Sequence, residues 1–171
     1  MLIAIAAMTS DRLIGKNNTL PRHIPADLKK FKELTMGNTV VMWRKTYESL
    51  PEAFRPLPWR HNIVISNQQD YTVYTDKENT SVELIHTVEE VLERTKNNPT
   101  KKIFIIGWSQ IYKLFLEYCD ELDITEVSGN YEGDTYFPEF KDIFVETSRE
   151  HHDTHDFVTY RRVIARNEAI Y

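Results

Sequence analysis

Asp27 is the first residue of this chain whose type and position could do chemistry. It follows Pro25, which can occupy a first helical turn, in the segment "PADLKKFKELT", and it shares a helix face with Phe31. A carboxylate therefore stands on the apolar edge of a helix. Two interpretations are open: Asp27 only complements the helix dipole, or it is a partly desolvated carboxylate that binds an amidine-like group of a flat ligand.

Cations stand next to two of the predicted strands. The stretch "MWRKTYESL" places Arg44, Lys45 and Thr46 directly after a buried strand. Two cations and a hydroxyl at a helix N-terminus would suit phosphates, although a solvated basic turn explains them equally well. Arg60 precedes another strand, where it could pair with a substrate carboxylate or be an ordinary surface arginine.

Three histidines stand close together in "EHHDTHD", at positions 151, 152 and 155. They fall in a predicted hairpin turn and lack the i, i+4 spacing of a helical metal site. We therefore interpret this stretch as a solvated turn and expect no metal site there.

The composition indicates a single globular domain over residues 1–171, with 41% hydrophobic and 27% charged residues. A net charge of −5 argues against a general nucleic-acid surface. The single cysteine, Cys119, favours a reducing compartment. The apolar start "MLIAIAAM" has no basic flank and is too short to span a bilayer. We expect a cytoplasmic protein without membrane contact.

Strand-like runs alternate with helical patterns along most of the chain. The strand-like runs lie at 2–8, 39–43, 62–66, 82–85, 102–107, 122–127, 144–150 and 157–165. The helical patterns lie at about 25–35, 44–50, 87–97 and 109–119. This alternation predicts a parallel sheet with right-handed crossovers, closed by an antiparallel hairpin of the last two strands. Ligands in such sheets bind beyond the carboxyl ends of strands, which points at residues 43–46 and 107–111.

Several long motifs in this sequence resemble those of one family, the chromosomal-type bacterial dihydrofolate reductases, in the same order. They are "IAAMTSDRLIGKNNTLP", "PADLKKFKELTMG", "RKTYESL", "RPLP" with "RHNIVIS", "IIG" with "QIY", and "EGDTYFP". The resemblance covers the whole chain. It implies an α/β, dihydrofolate reductase-like fold: a central eight-stranded, mostly parallel sheet with an antiparallel C-terminal strand, flanked by four helices.

The resemblance also implies an activity. This is the NADPH-dependent reduction of 7,8-dihydrofolate to 5,6,7,8-tetrahydrofolate, in tetrahydrofolate biosynthesis and one-carbon metabolism. The expected partners are the substrate dihydrofolate, the cofactor NADPH and antifolate inhibitors, and the expected state is a monomer. Hydride transfer requires the two ligand rings to be stacked, so positioning supplies much of the catalysis.

Roles for individual residues follow from the same resemblance. Asp27 matches the catalytic acid that holds N3 and the 2-amino group of the pterin, and Arg60 matches the arginine that receives the glutamate α-carboxylate. The other matching substrate-binding positions are Ile5, Ala6, Ala7, Leu28, Phe31, Leu50, Leu57, Ile106, Tyr112 and Thr125. The matching cofactor-binding positions are Ala7, Ile14, Gly15, Arg44, Lys45, Thr46, Ser66, Asn67, Gly107, Ser109, Gln110 and Ile111. Residues 10–24 match a mobile active-site loop.

Three residues depart from the family pattern at ligand-facing positions. Trp43 and Trp108 stand where the family has glycines, and Arg22 stands where it usually has a tryptophan beside the pterin. Because strands 39–43 and 102–107 are neighbours in the family's sheet, we expect the two indoles to pack together and narrow the groove for the cofactor's pyrophosphate. The alternative function is therefore a catalytically impaired or engineered scaffold of the same fold, with a partly blocked cofactor groove.

Overall fold

A computed structural model of the chain describes residues 1–16 and 24–165. Arg22 and the rest of segment 17–23 lie outside the described residues. The strands are β1 (Leu2–Thr9), β2 (Leu13–Gly15), β3 (Thr39–Trp43), β4 (His61–Ile65), β5 (Ser81–Ile85), β6 (Ile103–Ile105), β7 (Glu121–Val127), β8 (Thr135–Tyr136), β9 (Phe144–His151) and β10 (His155–Arg162). The helices are α1 (Pro25–Thr35), α2 (Arg44–Ser49), α3 (Val88–Asn97) and α4 (Ser109–Phe115).

Eight of the strands form one sheet in the order β5-β4-β3-β6-β1-β7-β10-β9. Neighbouring strands from β5 to β7 run parallel, whereas β10 is antiparallel to both β7 and β9. The predicted eight-stranded α/β fold with four helices and an antiparallel C-terminal strand is confirmed. The short strands β2 and β8 form a separate pair that the sequence did not predict, because two or three residues are too few to show a period.

Local signals account for the helix ends. Pro25 occupies the start of α1, where its missing N–H costs no hydrogen bond. The capping box before α3 forms as its sequence indicates. The Thr87 side chain accepts a hydrogen bond from the Glu90 N–H, and the Glu90 side chain accepts one from the Thr87 N–H. The α-helix predicted over 109–119 is shorter in the structure: α4 ends at Phe115, and a 3₁₀ turn follows as far as Tyr118.

Both faces of the sheet are covered by apolar side chains. Alternate residues of β1 point to opposite faces, so that Leu2 and Ala4 join one core cluster while Ile3 and Ile5 join the other. The Ile3 cluster packs against α1 and α2, and the Leu2 cluster packs against α3 and α4. Double burial explains the near-continuous apolar strands in the sequence. None of the helices that the structure describes is long and apolar enough to cross a membrane.

Candidate active site

A cavity of about 240 Å³ lies beside Asp27, where the carboxyl ends of the central strands approach the starts of α1, α2 and α4. It is open on one side, and its lining mixes apolar side chains with a few polar groups, as ligand sites usually do. The lining residues are Ile5, Ala6, Ala7, Ile14, Asp27, Leu28, Phe31, Thr46, Ser49, Ile106, Gly107, Trp108 and Tyr112.

Asp27 is the carboxylate of this cavity. Its Oδ1 accepts a hydrogen bond of 2.6 Å from the hydroxyl of Thr125 on β7. Burial raises the pKa of Asp27, and the bond from Thr125 and the positive charge of Lys30 only partly offset that effect. A residue that served only the helix dipole would need neither the cavity nor the partner across the sheet. The structure therefore favours the ligand-binding interpretation of Asp27.

Arg60 is not an ordinary surface arginine, since only 7% of it is exposed. Its Nε donates to the Thr35 hydroxyl at 3.1 Å, and its guanidinium lies 5.9 Å from the centroid of the Phe31 ring. Burial lowers the pKa of Arg60 from its ordinary value, which is too high for the change to remove the charge at neutral pH. The side chain is thus a fixed positive charge behind the apolar wall of the cavity.

Tyr112 connects two of the elements that line the site, α4 and β1. Its hydroxyl donates a 2.8 Å hydrogen bond to the carbonyl oxygen of Ile5, which ties α4 to the middle of β1. Burial raises the pKa of Tyr112, so the hydroxyl stays neutral and keeps its proton for that bond. The ring packs at 4.8 Å from Phe137. Tyr112 therefore fixes the distance between the Ile5 backbone and the start of α4.

A second cavity, of about 580 Å³, extends from the first along the ends of β3 and β4 and the start of α4. Cations, hydroxyls and amides line it, which suits phosphate and ribose groups. The lining residues are Trp43, Arg44, Lys45, Thr46, Ser49, Ile65, Ser66, Asn67, Gln68, Trp108, Ser109, Gln110 and Thr135. Arg44 is held in place by a 2.8 Å salt bridge to Glu48, one helical turn later.

The two cavities meet at three residues that line both of them: Thr46, Ser49 and Trp108. Gly107 stands at this junction with a φ of +133°, a conformation that residues with a side chain rarely adopt. A Cβ atom there would lie 2.8 Å from the Thr46 hydroxyl oxygen. The close approach of α2 to the end of β6 therefore requires glycine at this position.

Trp43 and Trp108 line the same groove, but the ring contacts among the described residues do not include this pair. The expected packing of the two indoles against each other is therefore not found. Trp43 packs on the Leu2 core cluster, where its Nε1 is buried without a hydrogen-bond partner, while Trp108 turns to the junction of the cavities. Whether the two indoles restrict the groove stays a prediction.

The structure brings most of the predicted site residues together. Those that line neither cavity are Gly15, Leu50, Leu57, Arg60, Ile111 and Thr125. Of these, Thr125 contacts Asp27, Leu50 and Leu57 belong to the Ile3 core cluster, and Ile111 is fully buried. Ser49 was missed, although it lies three residues after Thr46 and so shares its helix face.

The predicted solvated turn of histidines is wrong at one position. His151 and His152 are exposed, but His155 is only 5% exposed and stacks on His152 at 4.8 Å. Within residues 1–16 and 24–165, no group of three or more His, Cys, Asp or Glu residues could hold a metal ion. His155 is buried because it begins β10 beside Val127 of β7, a pairing between distant segments.

Comparisons with known proteins show which family the chain resembles over its length. A family model described as "Dihydrofolate reductase" matches residues 1–166. Dihydrofolate reductase HdrB of Haloferax volcanii is 36% identical over 163 residues, which cover 94% of this chain and 82% of that protein. The dihydrofolate reductase of Bacillus subtilis is 39% identical over 140 residues, 82% of this chain and 77% of that protein.

A solved structure is similar over nearly the whole chain. It is the dihydrofolate reductase of Enterococcus faecalis, complexed with NADP(H) and RAB-propyl. The two chains share 35% sequence identity with a TM-score of 0.79, and the match covers 95% of this chain and 96% of the other.

Proposed function

The chain belongs to the dihydrofolate reductase family, and on that premise we propose that it reduces 7,8-dihydrofolate to 5,6,7,8-tetrahydrofolate with NADPH. The family's members are oxidoreductases. We place the reaction in the cytoplasm, in tetrahydrofolate biosynthesis and one-carbon metabolism, and we expect a monomer that also binds antifolate inhibitors.

The cavity beside Asp27 suits the pterin ring of dihydrofolate. The Asp27 carboxylate would accept hydrogen bonds from N3 and the 2-amino group, while Phe31, Leu28 and Ile5 cover the apolar ring faces. Arg60 would attract the glutamate α-carboxylate at the far end of the substrate. The Thr125 hydroxyl holds one oxygen of Asp27, which fixes the plane of the carboxylate before the substrate arrives.

The adjoining groove suits NADPH. Its cations and hydroxyls, from Arg44, Lys45, Thr46 and Ser66, match the charge and hydrogen-bonding needs of the cofactor's phosphates. NADPH, when bound, supplies a hydride from its nicotinamide ring to C6 of the pterin. Trp108, Thr46 and Ser49 line both cavities, so that ligands bound in the two cavities would lie side by side, as that transfer requires.

The chain's own residues contribute orientation and charge to the reaction. Asp27 binds the pterin on the side of N3, so its role is to orient and polarise the ring, and we assign the proton that N5 must gain to water. The apolar lining from Ile5, Ile14 and Phe31 limits the water that reaches the ring.

The observation that carries this proposal is the Asp27 carboxylate, held by Thr125 in a largely apolar cavity that adjoins a groove lined by cations. An absorbance assay of NADPH oxidation with dihydrofolate tests it. Wild-type protein should oxidise NADPH only when dihydrofolate is present. Asp27→Asn should lower kcat/KM at neutral pH by about 100-fold or more, because the amide carries no charge and has only one acceptor oxygen for the two pterin donors.

Asp142→Asn is the matched control, since Asp142 is exposed and lines neither cavity. It should leave the rate unchanged. A wild-type protein that binds dihydrofolate and NADPH but does not oxidise NADPH would instead support the alternative, a catalytically impaired scaffold.

A further inference from the structure

A cluster of charged and aromatic side chains lies near Asp27, outside the linings of both cavities. It consists of Lys30 on α1, Asp123 on β7, and His155 with Phe157 on β10. None of these four residues lines either cavity. Two of its members, Lys30 and His155, nevertheless favour the ionised form of the Asp27 carboxyl.

Helix and sheet geometry bring the cluster together. Lys30 follows Asp27 by three residues, so the two side chains share one face of α1. Asp123 and Thr125 alternate along β7 and therefore point to the same face of the sheet, the face that α1 covers. On the neighbouring strand β10, Phe157 pairs with Thr125.

The Lys30 ammonium is anchored over this face. Its Nζ lies 4.3 Å from the centroid of the Phe157 ring, a cation–π contact that holds the charge close to β7 and β10. From there it acts on two carboxylates, since its positive charge favours the ionised form of Asp27 and of Asp123. Lys30 is therefore a fixed cation shared by two acids.

Asp123 is a buried acid, 8% exposed, that has no contact with the cavity. The Thr159 hydroxyl donates a 3.3 Å hydrogen bond to its Oδ1. Burial raises the pKa of Asp123, and Lys30, Thr159 and Lys102 offset part of this effect. An acid in this position gives the Lys30 ammonium a second partner on the sheet.

Among the residues that the structure describes, His155 is a further titratable group that acts on Asp27. It stands two residues before Phe157 on the same face of β10, and its Nε2 is buried without a hydrogen-bond partner. Its charge, when it is protonated, also favours ionised Asp27. Tyr112, on the cavity side, stays neutral and contributes no charge.

We propose that Lys30 is a positioning residue for the reduction: held over Phe157 on the sheet face that also carries Asp123 and Thr125, it favours an ionised Asp27 in the ligand-free site. An ionised Asp27 can accept both hydrogen bonds of the pterin without first losing a proton. This inference rests on the proposed function for its catalytic meaning, whereas the electrostatic effect on Asp27 exists whether or not the protein reduces dihydrofolate.

Lys30→Met tests the proposal, because methionine keeps the length and apolar contacts of the side chain but removes its charge. Lys29→Met is the matched control on the same helix, since Lys29 is exposed and approaches Glu33 instead. The first measurement is the titration of the Asp27 carboxyl carbon by NMR in the ligand-free protein, assigned with Asp27→Asn. Lys30→Met should raise the midpoint by about half a unit to one unit, and Lys29→Met by less than about 0.2 unit.

The second measurement is the pH profile of NADPH oxidation. Its acid limb should move up by the same amount in Lys30→Met, and Lys30→Arg should return it towards the wild-type position. Equal midpoints in Lys30→Met and Lys29→Met would overturn the proposal, as would a shifted titration with an unmoved pH profile. Failure of the proposed function shows separately, as a wild-type protein without dihydrofolate-dependent NADPH oxidation.

Discussion

At the scale of single residues, burial is the largest of the effects that act on the charge of Asp27, and its neighbours offset only part of it. Burial in the apolar cavity favours its protonated form, while the Thr125 hydroxyl and the Lys30 charge favour the ionised form. Partial desolvation also strengthens any hydrogen bond that the carboxylate makes to a ligand, and bonds to charged groups contribute about 1.5–3 kcal/mol. The same burial that makes Asp27 costly to ionise makes it a good ligand for a flat, amidine-like ring.

Trp43 and Trp108 are the residues that most distinguish this groove from one lined by glycines. We expect Trp43→Gly combined with Trp108→Gly to tighten NADPH binding by about tenfold, or 1.4 kcal/mol, because two indoles would leave the space beside the side chains that we propose bind its phosphates. Titration calorimetry with NADPH measures the change.

Trp59→Gly is the matched control for the tryptophan pair. Trp59 is 52% exposed, lines neither cavity, and has a φ of +62°, which glycine adopts readily. NADPH affinity should not change in this variant. Equal NADPH affinity in the wild type and the double variant would show that the indoles do not restrict the groove.

At the scale of elements, the site depends on how the end of β6 passes into α4. The Ile106 N–H donates to the carbonyl of Val41 at 3.0 Å, which keeps the chain beside β3 after the strand has ended. Tyr112 then ties α4 back to Ile5. Gly107, between these two attachments, is the point where the chain can turn without meeting Thr46.

Gly107→Ala should destabilise the protein more than Gly37→Ala does. Both glycines have positive φ, but a Cβ at Gly37 would meet no atom within 4 Å, whereas a Cβ at Gly107 would meet Thr46. We expect losses of about 1 kcal/mol at Gly37 and about 2–4 kcal/mol at Gly107 in the free energy of unfolding, measured with urea. Gly107→Ala should also raise the KM for NADPH. Equal losses at the two sites would show that the Thr46 contact relaxes freely.

At the scale of the whole molecule, burial of both sheet faces stabilises the fold, whereas a buried carboxyl group in the site lowers the free energy of unfolding. Asp27 is that group, because its carboxyl ionises more easily in the unfolded chain than in the native protein. An ionised Asp27 therefore lowers the free energy of unfolding. Functional sites often carry such a cost.

Asp27→Asn should accordingly stabilise the fold above neutral pH. A raised native pKa means that the folded protein holds its proton longer, so the contribution of Asp27 to stability falls as pH rises from about 4, its ordinary value, through the native pKa. The gain of Asp27→Asn should be largest at pH 8 and should vanish below about pH 4. Urea unfolding at several pH values measures this, and a gain that is independent of pH would contradict it.

The sequence by itself determined the elements, the family and most of the site. Apolar runs and helical periods are local, so β1, β3 and α1 to α4 could be read directly, with α4 shorter than its pattern. Asp27, Arg44 and Tyr112 could be assigned because motifs of several residues fix them relative to their strands and helices. The short strands β2 and β8 carry no such local pattern.

The tertiary structure decided what depends on pairing between distant segments. The register of β10 against β7 buries His155 and brings Phe157 beside Thr125, and the packing of α1 on that face then adds Lys30 to the same cluster. Side-chain packing likewise places Trp43 against the Leu2 core cluster and Trp108 at the junction of the cavities, although β3 and β6 are neighbours. A one-residue change of register would turn these side chains to the opposite face, and no local pattern in the sequence records that register.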